Sequence, residues 1–258
     1  SAMANALKAD GITKNFGAVR ALTNGRLSLE QGEIHALLGA NGCGKSTLCK
    51  IIAGAVAPNS GSLSFLGAPV SFKSPRDAEK AGIALFYQEL SLISQLTVAE
   101  NIFLGREIKS GPFVDRKRMK LLAGELIALF DGVAGVGLTP GAIVGDLPSD
   151  QRQIVEILKD FAQNARVMIM DDATAALDGR QSQRFFEILK AKKAEGISTI
   201  MISHRMDEVF AVCDRITVMR NGETIAERSV AETTRDVIVL DMVGDVRATA
   251  ERATRPAT

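Results

Sequence analysis

The 258-residue sequence has almost no net charge and no long hydrophobic run, and each absence excludes a class of protein. Thirty-one Lys and Arg residues against 30 Asp and Glu residues give a formal net charge of +1. No overall electrostatic field therefore draws the chain to nucleic acid or to an anionic membrane, although a local patch of basic residues remains an alternative. The apolar runs are far shorter than the roughly 18 residues that a membrane-spanning helix needs. We expect the chain not to cross a bilayer by itself.

Cysteine is also scarce. Cys43, Cys49 and Cys213 are too few, and odd in number, for a disulfide framework, and they lack the spacing of metal ligands. We therefore expect a reducing, cytosolic setting. No secretory signal is recognisable, and we expect Ser1-Ala2-Met3 to be a remnant ahead of the natural start.

The most informative stretch present runs from Gly39 to Thr47 and fits the phosphate-binding pattern G-x-x-x-x-G-K-[ST]. Its three glycines let the main chain turn inward, so that backbone N–H groups surround a phosphate. Lys45 is expected to reach the β- and γ-phosphates of ATP, and the Ser46 hydroxyl to bind Mg²⁺. The candidate nucleotide-binding residues of this loop are Gly39, Asn41, Gly42, Cys43, Gly44, Lys45, Ser46 and Thr47.

The flanking segments support this interpretation. Residues 33–38 are typical of a buried strand, and residues 46–53 place apolar side chains on one helical face. A strand, loop and helix in this order place the positive end of the helix at the phosphates. The alternative is a glycine-rich turn that merely precedes a helix.

A second buried strand, residues 167–170, ends at Asp171 and Asp172. Four apolar residues followed by aspartate are the usual partner of a phosphate-binding loop, and Asp171 would hold Mg²⁺ through water. Strands and helices alternate again after this strand, which predicts an α/β fold with a mostly parallel sheet and helices on both faces.

The sequence also predicts the domain organisation. Alternating residues in 7–14 and 25–30 predict two antiparallel strands, and further strands are predicted at 62–66 and 69–72. We assign residues 1–89 and 164–244 to an ATP-binding core with an antiparallel β subdomain. Residues 90–163 form an inserted helical subdomain, and residues 245–258, which are poor in apolar side chains, form a linker.

Taken together, these residues resemble the ATP-binding cassette (ABC) family, a branch of the P-loop NTPases. They resemble most closely the amino-terminal cassette of tandem ATPase subunits from ribose-type bacterial sugar importers. Residues 87–90, 96–106 and 202–210 carry this resemblance together with the phosphate-binding loop. It implies two cassettes fused in one chain about twice this length, and the fold of the family: a mixed sheet with an antiparallel β subdomain and a helical subdomain.

The resemblance also assigns roles. Gln88 matches the glutamine that senses Mg²⁺ and the membrane subunit, and His204 matches the switch histidine at the γ-phosphate. The alternatives are a solvated glutamine at a strand end and a histidine with no functional role. Ala176-Leu177-Asp178 matches the D-loop, which touches the opposing cassette, although Asp178 could simply begin a helix. Phe16 lies 23 residues before Gly39 and could stack on adenine. The alternative is that Phe16 packs under the sheet.

Two positions depart from the family pattern. Asp172 replaces the glutamate that acts as general base, and its carboxylate is set back by roughly 1.5 Å, one C–C bond. A displacement of that size can cost about a hundredfold in rate. The signature motif, normally Leu-Ser-Gly-Gly-Gln, reads Leu147-Pro148-Ser149-Asp150-Gln151. Proline removes a hydroxyl and an N–H donor, and Asp150 adds negative charge where the phosphate of the opposing site should approach.

The resemblance therefore implies an ATP-hydrolysing half of a sugar importer, with catalytic roles for Lys45, Gln88, Asp172 and His204 and metal-binding roles for Ser46, Gln88 and Asp171. The partners would be a second cassette, a membrane permease and, indirectly, a sugar-binding protein. The location would be the cytoplasmic face of the membrane. The two departures favour an alternative in which the chain is a regulatory half that binds ATP but hydrolyses little. A DNA- or ribosome-directed ABC protein is disfavoured by the neutral charge.

Overall fold

The computed structural model describes residues 5–86 and 91–244 of the chain. The strands are β1 (Asn5–Phe16), β2 (Val19–Glu30), β3 (Ile34–Leu38), β4 (Ser60–Phe65), β5 (Ala68–Pro69), β6 (Ile83–Phe86), β7 (Lys109–Ser110), β8 (Phe113–Val114), β9 (Val167–Asp171), β10 (Ser198–Ile202), β11 (Arg215–Arg220) and β12 (Glu223–Ser229). The α-helices are α1 (Lys45–Ile52), α2 (Pro75–Ala81), α3 (Val98–Ile102), α4 (Arg116–Ile127), α5 (Ser149–Phe161), α6 (Gly179–Ala194), α7 (Met206–Val212) and α8 (Arg235–Val243). Single turns of 3₁₀-helix occur at 128–130, 144–146 and 230–232.

Ten of these strands form one sheet in the order β5-β4-β1-β2-β12-β11-β3-β10-β9-β6. The neighbours from β11 to β6 are parallel. All five residues of β3 and of β10 are buried, as expected for strands that are covered on both faces. The predicted α/β fold is confirmed. The carboxyl ends of these parallel strands meet at one edge, where the phosphate-binding loop follows β3.

The other half of the sheet is antiparallel apart from one bridge. Strand β1 pairs antiparallel with β2 and with β4, and Glu223 of β12 pairs parallel with Asn24 of β2. The predicted antiparallel pair is confirmed, but both strands are longer than predicted. Register shifts between Ala9 and Asn15 interrupt the alternation of buried and exposed residues, so the pattern loses its period of two before the strands end.

One predicted strand is wrong, and the segment predicted as mostly helical also contains a short hairpin. The strand predicted at residues 69–72 is only Ala68–Pro69, because the chain leaves the sheet after Val70 N donates to Leu63 O and Phe72 then packs against the core. Within the predicted helical segment, β7 and β8 form a two-stranded hairpin closed by Gly111, whose φ is 62°. The alternation there was too short to predict strands.

Helices α3, α4 and α5 contact one another within the segment predicted as a helical subdomain. The last turn of α5 ends at Phe161, and β9 begins at Val167. The division at residues 89–90 lies outside the described residues, and the domain boundaries stay a prediction. None of the helices in the described part of the chain is both long and apolar enough to span a membrane.

Candidate nucleotide site

A cavity of about 250 Å³ lies at the carboxyl edge of the parallel strands. Three segments of chain that are far apart in sequence meet there: the loop between β3 and α1, the end of β9 and the end of β10. A fourth segment, the start of β2, closes one side. The lining residues are Val19, Arg20, Ala21, Asn41, Gly42, Gly44, Lys45, Ser46, Thr47, Asp171, Asp172, Ile202 and His204.

Glycine is needed in the loop for steric reasons. Gly44 precedes α1 with φ 108°, and a Cβ built there would lie 2.6 Å from Leu22 Cδ2 and 2.8 Å from Ala21 O. Gly42 has φ 78° but faces open space. The backbone therefore approaches β2 closely at one glycine and leaves a cradle free of side-chain atoms at the other, which is the shape a phosphate group needs.

Lys45 places a positive charge inside this cradle. Its side chain is buried, and Nζ donates to Gly39 O at 2.8 Å and to Ala40 O at 3.1 Å. Lys45 is also the first residue of α1, whose free N–H groups carry the positive end of the helix dipole. The ammonium group and the helix terminus together favour an anion in the cavity.

Two acidic groups also line the cavity. Asp171 ends β9, and burial raises the pKa of its carboxyl group, as does the charge of Asp172, whereas Lys45 and His204 act in the opposite direction. His204 Nε2 lies 3.3 Å from Asp172 Oδ2. Asp172 has φ 48°, which a non-glycine residue seldom adopts. Its backbone N–H donates to Ile202 O at 3.0 Å, which ties the ends of β9 and β10 together.

The donors in the cavity fit Mg²⁺ bound together with phosphates. Ser46 supplies a hydroxyl and Asp171 a carboxylate, and both line the cavity. Among residues 5–86 and 91–244 no group of three or more His, Cys, Asp or Glu side chains is placed to hold a metal ion. Mg²⁺ at phosphate sites typically uses one or two protein ligands, with water and phosphate oxygens completing the shell. The site therefore suits a metal that arrives with its nucleotide.

Comparison with known proteins agrees with this geometry. A family model described as "ABC transporter" matches residues 22–175, which is more than half of the chain. The chain belongs to the ABC transporter family. It is 45% identical over 238 residues, 92% of its length, to a putative ribose/galactose/methyl galactoside import ATP-binding protein of Burkholderia cenocepacia. It is also 45% identical, over 91% of its length, to the ribose import ATP-binding protein RbsA of Chromobacterium violaceum.

The chain spans about half the length of the curated relatives it matches, since it covers 46% of each of these two proteins. Among solved structures, the ADP conformation of an ATP-binding cassette of an ABC transporter matches with a TM-score of 0.76 at 25% identity. That match covers 97% of this chain and 99% of the other. A dimeric post-hydrolysis cassette bound to ADP and Pi matches with a TM-score of 0.75 at 23% identity, and supports the ABC ATPase fold.

In this ABC cassette the predicted site residues fall into two groups. The cavity brings together six loop residues with Asp171, Asp172 and His204. Gly39 and Cys43 lie behind the loop: Cys43 is buried, and a Cβ on Gly39 would lie 2.4 Å from Cys43 Sγ. Gln88 lies outside the described residues. The predicted roles of all these residues stay predictions.

Phe16 does not line the cavity. The residue is 49% exposed, so the alternative of packing under the sheet is wrong, and Lys14 Nζ lies 5.2 Å from the centre of its ring. Its partner across the β1–β2 turn is Val19, which does line the cavity. Sequence reasoning missed Val19, Arg20 and Ala21 because β2 was predicted to begin at Gly25. The turn at Gly17, φ 59°, was the signal that a hairpin brings this segment back.

The signature and D-loop segments lie next to each other and away from the cavity lining. Asp178 caps the start of α6, where its carboxylate accepts a hydrogen bond from Gln181 N at 2.8 Å, as the helix-start alternative proposed. The side-chain oxygen of Gln181 accepts a hydrogen bond from Asp178 N at 3.0 Å. Its side-chain nitrogen donates to Asp150 Oδ2 at 2.8 Å. The buried Gln181 amide therefore joins Asp150, which departs from the family's signature motif, to Asp178 of the predicted D-loop. Pro148 precedes α5 and gives that helix no side-chain cap.

Proposed function

We propose that this chain binds Mg-ATP at residues 39–47 and hydrolyses it as one half of a longer ATPase subunit that drives sugar import. The observation that carries the proposal is the convergence on one cavity of Lys45, Ser46, Asp171, Asp172 and His204. These residues come from three strand ends, and their chemistry covers phosphate binding, metal binding and water activation. The carbohydrate-import names of the relatives support the choice of sugar as the transported substrate.

Each side chain has a task that follows from its place. The loop N–H groups and Lys45 bind the phosphate oxygens and neutralise their charge, while Gly42 leaves room for them. Mg²⁺, when bound at Ser46 and Asp171, would stabilise the charge that develops on the phosphates. Asp172 would accept a proton from an attacking water. His204, whose Nε2 lies 3.3 Å from Asp172 Oδ2 in the same cavity, would hold that carboxylate in position.

The rest of the proposal concerns partners. Two exposed residues, Pro148 and Ser149, and the half-buried Asp150 present the signature segment at the surface, where a second cassette would contact it. We place the permease and, indirectly, a sugar-binding protein in the same assembly, at the cytoplasmic face of the membrane. Dimeric cassettes among the structural matches support the arrangement of two cassettes.

ATP turnover by the longer natural subunit, assembled with its permease, tests the proposal. Lys45→Ala should abolish the turnover, because it removes the buried ammonium group from the phosphate cradle. Lys50→Ala, on the same helix but outside the cavity lining, is the matched control and should keep the wild-type rate. Turnover that persists unchanged in Lys45→Ala would refute hydrolysis at this site.

A second candidate is a regulatory half that binds ATP and closes on its partner but turns over little. It is favoured by the short carboxylate of Asp172 at the position where the family resemblance implies glutamate. Asp172→Glu discriminates between the two. A large gain in turnover with unchanged ATP affinity would support the regulatory half, because the shorter base would then be limiting. No gain would favour the hydrolysing half.

A further inference from the structure

Glu208 is a buried acid that neither the loop nor the cavity uses. It lies on α7 with 8% of its surface exposed, and it is not among the cavity-lining residues. Its carboxylate nevertheless accepts hydrogen bonds from three different side chains. A buried carboxylate is costly unless it is well paired, so this concentration of donors requires an explanation.

The donors come from two different segments. Thr174 Oγ1 donates to Oε2 of Glu208 at 2.9 Å, from the turn that follows Asp172. Ser203 Oγ donates to the same oxygen at 3.0 Å, from the end of β10. Arg205 Nη1 reaches Oε1 at 3.1 Å, and Arg205 N–H donates to Ser203 Oγ at 3.1 Å.

These segments carry Asp172 and His204, the two cavity-lining groups whose side chains lie 3.3 Å apart. Thr174 lies two residues after Asp172, and Ser203 and Arg205 lie on either side of His204. The pairing of β9 with β10 holds the two segments together as far as Ile202 and Asp171, and the bond from Asp172 N to Ile202 O at 3.0 Å is the last of these attachments. Glu208 supplies a further attachment beyond the strand ends. It therefore fixes the two segments where the strand pairing no longer does.

We infer that Glu208 is a positioning residue that holds His204 against Asp172 by joining Thr174 to the Ser203–Arg205 segment. The inference rests on the proposed function for its effect on turnover, but not for its effect on geometry. His204 has 54% of its side chain exposed and little packing of its own to fix it. Its place relative to Asp172 is therefore set by the backbone on either side, which Glu208 holds.

The experiment measures the environment of the His204 ring by NMR. The chain has only two histidines, so selective ¹³C-histidine labelling gives two ring signals in the NMR spectrum. His35 is fully buried, with Nδ1 at 2.8 Å from Glu33 and Nε2 at 2.6 Å from Thr217, and serves as the internal reference. The variants are Glu208→Gln and Thr174→Val, and the matched control is Thr174→Ser, which keeps the hydroxyl group.

We expect the His204 signal to move in Glu208→Gln and Thr174→Val, with the His35 signal unchanged, and to stay near its wild-type position in Thr174→Ser. In the longer subunit, the first two variants should lower kcat by about tenfold to a hundredfold, as expected for a small displacement of catalytic groups. The affinity for ATP should stay within about twofold, because the phosphate loop is untouched.

The results separate the two claims. An unmoved His204 signal in both variants would overturn the inference whatever the turnover. A moved signal with unchanged kcat would overturn its catalytic part. If the wild-type subunit hydrolyses no ATP, the proposed function fails, and the NMR comparison still decides whether Glu208 positions His204.

Discussion

Gly44 shows how one residue can be fixed by its neighbours rather than by its ligand. Its φ of 108° lies in a region that side chains rarely adopt, and backbone and side-chain atoms of β2 stand within 3 Å of where a Cβ would lie. Gly42, two residues earlier, shares the positive φ but has open space around it. Substitution of Gly42 therefore introduces backbone strain alone, whereas substitution of Gly44 introduces both strain and steric overlap.

We expect Gly44→Ala to lower the free energy of unfolding by more than Gly42→Ala. The Gly42 variant carries only backbone strain, which costs about 1–3 kcal/mol, whereas the Gly44 variant must also push Ala21 O and Leu22 away. Urea unfolding of both variants measures the difference. Equal losses of stability in the two variants would show that β2 moves aside at no energetic cost. The close approach of Gly44 to β2 would then not explain why glycine is needed at this position.

At the scale of elements, α5 and α6 are joined through Gln181. Its amide donates to Asp150 at the start of α5 at 2.8 Å and to Val133 O at 3.1 Å, while its oxygen accepts from Asp178 N. Gln181 is 2% exposed. The negative charge that the sequence places in the signature segment is therefore partly satisfied within the chain. This contact couples the segment predicted as the signature to the segment predicted as the D-loop.

A double-mutant cycle measures this coupling. Asp150→Ala and Gln181→Ala should show an interaction energy of about 1 kcal/mol, the size of a partly exposed hydrogen bond. Gln183, the same residue type exposed on the same helix, provides the control: Asp150→Ala and Gln183→Ala should add within about 0.5 kcal/mol. Additivity for the Gln181 pair, by denaturant unfolding, would mean that the bond does not join the two helices in solution.

At the scale of the molecule, Glu33 joins the two halves of the sheet at its amino edge. It accepts from Glu30 N at the end of β2, from His35 of β3 and from Arg215 of β11. Burial raises the pKa of Glu33, but the bonds from His35 and Arg215 outweigh it and bring the pKa to about 2. The Arg215 side chain also donates to Ser28 O at 2.6 Å, which extends the link into β2.

Because the pKa of Glu33 is lowered in the folded state, its contribution to the free energy of unfolding grows as the pH rises. The folded state keeps Glu33 charged at pH values where the unfolded chain has bound a proton, so its contribution is complete above the ordinary carboxyl pKa of 4.5 and is lost as the pH falls towards 2. Glu33→Gln should therefore be less stable than wild type at pH 6, with the difference shrinking between pH 4.5 and 2. Urea unfolding at several pH values checks this.

Glu30→Gln is the control for this prediction. Glu30 is more exposed, and its carboxylate lies 4.0 Å from Arg215, so the free energy of unfolding should change little across the same pH range. A stability difference for Glu33→Gln that stays constant from pH 6 to pH 2 would contradict the account of the ionised carboxylate.

The parts of the fold that could be predicted were those with a local cause. The strand before Gly39 and the strand ending at Asp171 each follow from residues adjacent in sequence. The start of β2 and its contact with the cavity were not predicted, because bulges break the alternation and leave the turn at Gly17 as the one local signal of the hairpin. The roles of Gln181 and Glu208 depend on partners 31 and 34 residues away, which one sequence does not pair.

The central claim is that residues 39–47 enclose a magnesium-bound triphosphate, and titration calorimetry of this chain with ATP tests it most directly. We expect binding in the presence of Mg²⁺ that weakens about tenfold to a hundredfold in Lys45→Ala, the loss of a hydrogen bond from a charged group. Lys50→Ala should bind as wild type does. A folded chain that takes up no ATP with Mg²⁺ present, or that binds equally well without Lys45, would contradict the account.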